Sequence, residues 1–220
     1  MALLAAVGCG SGASTEPATL EAFHVTYTGD GTYYDFADGS GACMFDPSPD
    51  DMDIAALNAV QWAHSAWCGA CADVTGPNGS VRIRIVDQCP ECPRGNLDFS
   101  PQAFDKIAER SAGRVPITWH FVPCDVGGPV AYKYKDGANQ WWTAVQVRNH
   151  RMPISDLEWS PDGSSWSDTE RQDYNYFLDD AGFGPNKVYV RITSIDGQVL
   201  TDQLPPVEPD LVVPGAAQFE

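Results

Sequence analysis

The stretch VDQCPECPRGNLDFSPQAF, residues 86–104, decides how the chain is read. It opens at the end of a β-branched run, so Asp87 falls at a strand tip. It closes on a helix start, with Ser100 as N-cap and Pro101 as first helical residue. Between them stand the C-x-x-C pair Cys89 and Cys92, and a second aspartate, Asp98. A second pair, Cys68 and Cys71 in CGAC, lies seventeen residues upstream. That spacing suits a zinc ribbon as well as a disulfide framework.

The cysteine count separates the two. There are seven cysteines among 220 residues. The N-terminal MALLAAVGCGSGAST reads as the end of a secretory signal, and AVGC is like a lipobox, which would make Cys9 a lipid-attachment site. Six cysteines then remain: Cys43, Cys68, Cys71, Cys89, Cys92 and Cys124. Zinc would leave Cys43 and Cys124 unused and set Asp73, Asp87 and Glu91 beside an anionic tetrathiolate. Three disulfides use all six, and an exported protein meets an oxidising compartment. The expectation is three bridges, no metal and no cofactor. Fifteen connectivities stay open.

Thirteen basic against thirty acidic residues give a formal charge of −17. Such a chain repels nucleic acid and anionic membranes, which favours a neutral or cationic partner. With 43% apolar residues it can pack a core. No stretch reaches the roughly 18 apolar residues of a membrane span.

Strand-like runs dominate from residue 20: AFHVTYT, VRIRIVDQ and PITWHFVPC before residue 125, then AYKYK, WWTAVQVRNH, ISDLEWS and KVYVRITSIDGQVLTDQL. GDGT, at 29–32, reads as a mobile turn, while Asp162-Gly163 and Asp196-Gly197 read as hairpin turns. Helices are expected over SPQAFDKIAERSAG, 100–113, with Phe104, Ile107 and Ala108 buried, and over PDDMDIAALNAVQWAH, 49–64. His120 is read as a core or sheet-face residue. Gly127-Gly128-Pro129 reads as a hinge. The division is therefore a leader over 1–19, an all-β domain over 20–125, a linker over 126–129 and a β-sandwich over 130–220, with the proline-rich end lying along it.

Asp98 sits between Leu97 and Phe99, where partial desolvation raises a carboxyl pKa and suits a general acid. Trp141 and Trp142 are adjacent, so on a regular strand they point to opposite faces. If both are exposed, the backbone there is irregular or looped. A flat exposed aromatic surface suits the face of a sugar ring. Tyr174 in RQDYNYF extends the row, and Lys135 offers a hydrogen bond to hydroxyls.

Taken in order, TYTGDG, DPSPDDMDIAALN, VTGPNG, VDQCPECPRGNLDFSPQAFDKI, WWTAVQVRNHRMP, DYNYF and VPGAAQF resemble the bacterial expansins over nearly the whole chain from residue 22. The resemblance implies a six-stranded double-psi β-barrel followed by an immunoglobulin-like β-sandwich that binds cellulose. It implies a secreted monomer that loosens plant cell walls without hydrolysis and acts on cellulose and related neutral β-glucans. It places Thr26, Asp87 and Asp98 in the barrel groove, with Asp98 required for loosening. Trp141, Trp142 and Tyr174 become the aromatic platform, with Lys135 as its polar helper. A groove tyrosine that the family often carries is replaced by Cys89. The barrel also resembles the inverting endoglucanases of glycoside hydrolase family 45, where Asp98 would be the acid and Asp30, four residues after Thr26, the base. A pure cellulose-binding module is the third alternative.

Overall fold

The computed structural model describes residues 15–35 and 38–220. Cys9 and most of the expected leader lie outside the described residues. The end of that leader is part of the fold: the Glu16 N–H donates to the Val60 carbonyl at 2.7 Å. Thr19 caps a one-turn helix, α1 (Leu20–Phe23), which buries Phe23.

Six strands close into a barrel: β1 (Tyr27–Tyr33), β2 (Ile54–Asn58), β3 (Cys71–Gly76), β4 (Gly79–Cys89), β5 (Leu97–Phe99) and β6 (Val115–Val122). Their order is β1-β5-β2-β4-β3-β6, with β1–β5 and β2–β4 parallel. Alternation sets the core. On β6, Val115, Ile117, Trp119 and Phe121 turn inward, while Pro116, Thr118 and His120 face solvent. His120 is thus a sheet-face residue.

Three local expectations change. GDGT is no mobile turn, because residues 29–32 lie inside β1. Gly29 is there for space: a Cβ on it would stand 2.4 Å from the Gly95 carbonyl oxygen. The helix expected over 49–64 is β2 followed by a single 3-10 turn, Ala59–Gln61. All five residues of β2 are buried, so its apolar run reflects burial on both faces and not helical periodicity. The helix over 100–113 shortens to α2 (Pro101–Phe104) plus a 3-10 turn at Arg110–Ala112. Ser100 still caps it, donating nothing to the helix and accepting the Ala103 N–H, and Phe104, Ile107 and Ala108 are buried.

Nine strands follow: β7 (Ala131–Tyr134), β8 (Thr143–Arg148), β9 (Ile154–Ser160), β10 (Ser167–Asp168), β11 (Glu170–Arg171), β12 (Phe177–Asp179), β13 (Val188–Ser194), β14 (Val199–Leu204) and β15 (Val212–Pro214). They form a five-stranded sheet, β11-β12-β8-β7-β15, and a four-stranded sheet, β10-β9-β13-β14. Tyr132 and Tyr134 of the first reach Asp202 and the Pro205 carbonyl beside the second. The proline-rich end pairs with β7 through β15. Gly163 and Gly197 take positive φ at the two expected turns.

Three disulfides form: Cys43–Cys68, Cys71–Cys124 and Cys89–Cys92. Both C-x-x-C pairs are therefore consumed without converging, which removes the zinc alternative.

The barrel and the sheets meet at a polar seam. Asp46 takes charge-assisted bonds from Lys133 at 2.8 Å and from Arg148. These hold its carboxyl down, to about 2, with the Arg148 bond the main cause. His150 is fully buried there; its Nδ1 lies 2.9 Å from the Met152 carbonyl, and burial pushes its pKa down to about 4.

Candidate functional site: a carboxylate groove joined to an aromatic patch

The groove lies on the outer face of the barrel. β5 presents Leu97 and Phe99 to the core, so Asp98 must point outward. Its lateral neighbours are Thr32 on β1 and Ala56 on β2, and Ala56 is in turn level with Asp87 on β4. Thr32, Asp98, Ala56 and Asp87 therefore form one row across four strands. The two aspartate backbones stand two strand spacings apart, about 10 Å. Ala56, at the middle position, is itself buried, in a small apolar cluster with Ile54, Val86 and Cys89.

The Thr32 hydroxyl donates to Asp98 Oδ1 at 2.5 Å. Burial raises the Asp98 pKa; the Thr32 bond opposes this, Glu91 adds to it, Arg114 opposes it and Asp87 adds to it. Glu91 rides on the turn closed by the Cys89–Cys92 bridge. Asp87 is anchored differently, by the N–H groups of Ala42 at 2.7 Å and Gln88 at 2.8 Å and by the Tyr34 hydroxyl.

Thr26 does not join this row. It is exposed, precedes β1, and lies six residues, or about 20 Å of extended chain, from Thr32. The strand register makes Thr32 the groove threonine. Tyr34 was also hidden in the sequence. Position 89, where the resemblance expects a tyrosine, is a bridged cysteine, yet a phenol reaches Asp87 from the end of β1. Burial, with Asp87 beside it, raises the Tyr34 pKa and keeps it a donor. The doubled Tyr33-Tyr34 was the available signal: alternation sends Tyr33 against Phe104 and Tyr34 the other way.

Asp30 lies on the same outer face, two residues before Thr32. It is held, not mobile: its N–H donates to Asn96 Oδ1 at 2.9 Å, and its carboxylate pairs with Arg114 at 3.2 Å.

The aromatic patch sits at one end of the five-stranded sheet. Asn139 to Trp142 make a tight turn before β8, with an isolated bridge between its ends. The irregular backbone lets both indoles reach the surface. Trp141 is 71% exposed and Trp142 half-buried. The Tyr174 and Tyr176 rings are 5.9 Å apart, and Lys135 Nζ lies 5.8 Å from the Tyr176 ring. Lys135 also pairs with Asp136, which raises its pKa.

Groove and patch connect through a short path. Ala42 binds Asp87, and the next carbonyl, Cys43, accepts the Asn175 side chain at 3.0 Å, beside Tyr174. Among the described residues, no group of three or more His, Cys, Asp or Glu is placed to hold a metal, and no helix is long and apolar enough to cross a membrane.

Comparison with known proteins adds to this geometry. The family described as "Lytic transglycolase" matches residues 26–119, the barrel segment. Expansin-YoaJ of Bacillus subtilis is 36% identical over 205 residues, covering 89% of this chain and 85% of its own. Expansin-like protein 1 of Dictyostelium discoideum is 33% identical over 179 residues, 78% of this chain and 62% of its own. The crystal structure of the apo Clavibacter michiganensis expansin superposes with a TM-score of 0.83 at 29% identity, covering 89% of this chain and 98% of that one. A mutant of that expansin, solved in complex with cellohexaose, superposes equally well. A closed barrel, three disulfides and these relatives place the chain in the bacterial expansin family.

Proposed function

We propose that this chain binds cellulose and loosens plant cell walls by disrupting contacts between glucan chains, without cutting them. The observation that carries the reading is the exposed Trp141 on its turn, in a chain whose Tyr174 segment is tied through Asn175 and Cys43 to a groove with a desolvated carboxyl. An indole 71% exposed loses apolar surface to water unless a ligand covers it. The related structure solved with cellohexaose makes a glucan the favoured ligand.

In this reading Trp141, Trp142 and Tyr174 anchor a glucan by burial and stacking, and Lys135 donates to its hydroxyls. Asp98 donates or accepts at a displaced chain in the groove, and Thr32 replaces Thr26 as its partner. Asp87 shapes the wall, since protein donors already occupy its oxygens. Binding energy offsets part of the cost of separating chain from chain. The sheets act as an immunoglobulin-like binding domain over 130–220, after a barrel domain over 20–125 and a linker over 126–129. The three bridges fit a secreted monomer in an oxidising space, with Cys9 as its lipid anchor.

One observation favours hydrolysis as a second reading. Asp30 is fixed on the face that carries Asp98, and strand geometry sets their backbones about 8 Å apart. Inverting enzymes hold their two carboxyl groups roughly 6.5–9.5 Å apart, a separation that side chains on backbones so spaced can span. Against it, Asp30 is engaged by Arg114. Pelleting with cellulose, run beside mechanical weakening of paper and a reducing-sugar assay, separates the readings. Loosening gives binding and weakening without new ends; hydrolysis gives ends that Asp30→Asn abolishes; a pure binding module gives pelleting alone.

A further inference from the structure

Trp141 has two sides, and the platform uses one. The other borders a cleft at the loop end of the two sheets, of ≈ 380 Å³, backed by Trp159 and Phe183. Those two rings stack at 4.8 Å, and the Trp159 Nε1–H donates to Asp179 at 2.7 Å, so the back wall is rigid. Pro161, Asn186 and Lys187 are shared with a second hollow of ≈ 590 Å³ that runs on to Tyr189 and Gln203. The two hollows therefore form one track leading away from Trp141.

The track is built, not incidental. Asp179 Oδ1 accepts the N–H of Ala181, and the Gly184 N–H donates to the Gln140 carbonyl. Gly182 takes φ +77°, and a Cβ there would stand 2.3 Å from that same carbonyl. The loop over 179–185 thus clamps the turn that carries Trp141. Such bracing around an exposed indole costs freedom that a bare surface loop would keep.

We propose that this track is a second sugar site, so that Trp141 is shared by two glycan chains, one on the platform and one in the cleft. The inference rests on the platform reading above. The lining specifies the ligand class. Gln140, Asn186 and Gln203 are amides, which both donate and accept. Lys187 is the one cation, and its Nζ lies 3.2 Å from Gln203 Oε1. Asp162 Oδ1 accepts from the Ser160 hydroxyl and from the N–H groups of Ser164 and Ser165. Amides against an aromatic wall recognise a neutral, hydroxyl-rich oligosaccharide better than an anion. Two chains held at one tryptophan would be kept apart by its ring.

The test uses the full chain, with cellohexaose and a neutral xyloglucan heptasaccharide as probes. The indole N–H signal of Trp159 is followed by NMR, because that proton lies in the cleft wall and not on the platform. The expected result is a saturable Trp159 shift whose affinity falls at least about fivefold in Asn186→Ala/Lys187→Ala, both exposed positions, with cellulose pelleting within about twofold of the parent. A Trp159 signal unmoved at saturating sugar, or moved equally in that variant, overturns the proposal. Trp142→Ala/Tyr174→Ala separates the two readings: unchanged pelleting there overturns the platform, while the Trp159 signal still decides the cleft.

Discussion

The Asn175 side chain donates to the carbonyl of Cys43 at 3.0 Å, joining positions 132 residues apart. Gln146 donates to the same oxygen at 2.9 Å. Cys43 is itself bridged to Cys68, and its neighbour Ala42 holds Asp87. One peptide segment therefore ties the groove wall to the strand system beneath the aromatic patch. Asn175 has φ +63°, a left-handed conformation that asparagine tolerates and most residues do not.

Asn175→Ala should destabilise the protein by about 1–3 kcal/mol, from the lost bond and the left-handed backbone together. Asn175→Gly loses the bond without the backbone strain and should cost less. Urea unfolding of the three proteins checks the order; equal stability of parent and alanine variant would show that the seam does not depend on this contact.

Thr32→Val removes a hydrogen bond that favours ionised Asp98, so the Asp98 pKa should rise further. Thr26→Val should leave it unchanged, since Thr26 is remote. Carboxyl NMR titration reads both directly. A shift on Thr26→Val and none on Thr32→Val would reverse the assignment of the groove threonine.

The bridges should contribute unequally. Loop-closure entropy gives about 4 kcal/mol for Cys71–Cys124, which spans 53 residues, and somewhat less for Cys43–Cys68, which spans 25. Cys89–Cys92 spans 3 and should give about 2 kcal/mol. Melting of the paired Cys→Ser variants tests this order. The short bridge shapes the groove rim more than it stabilises the fold, so its loss should weaken loosening more than its small melting shift suggests.

His150 makes the seam acid-sensitive. Its folded pKa, about 4, lies below the ordinary value of 6.5. Between those values the unfolded chain binds a proton that the folded chain does not, so stability falls as pH drops from about 6.5 towards 4. The loss amounts to about 3 kcal/mol at the lower end. His150→Gln should flatten the dependence in urea melts between pH 7 and 4.5. An unchanged slope would assign the acid response to other groups.

Much of this was legible in the chain. Ser100-Pro101 marked the cap, alternation marked β6, and the adjacent tryptophans demanded an irregular backbone, which the Asn139–Trp142 turn supplies. The six cysteines announced three bridges without their partners, because pairing is set by chain crossing and not by spacing. β2 was hidden because a strand buried on both faces has no period of its own. Gly29-Asp30-Gly31 imitated a turn because close approach to Gly95 needs glycine as much as a turn does. Thr32 was missed for Thr26 because register between parallel strands leaves no local trace.

The central claim is that a glucan is gripped along one surface and left whole. The most direct measurement takes one purified sample on cellulose paper and follows tensile strength and reducing ends together. The account predicts weakening that Asp98→Asn abolishes, with reducing ends at the level of the blank. Steady release of soluble oligosaccharides, lost in both Asp98→Asn and Asp30→Asn, would contradict it.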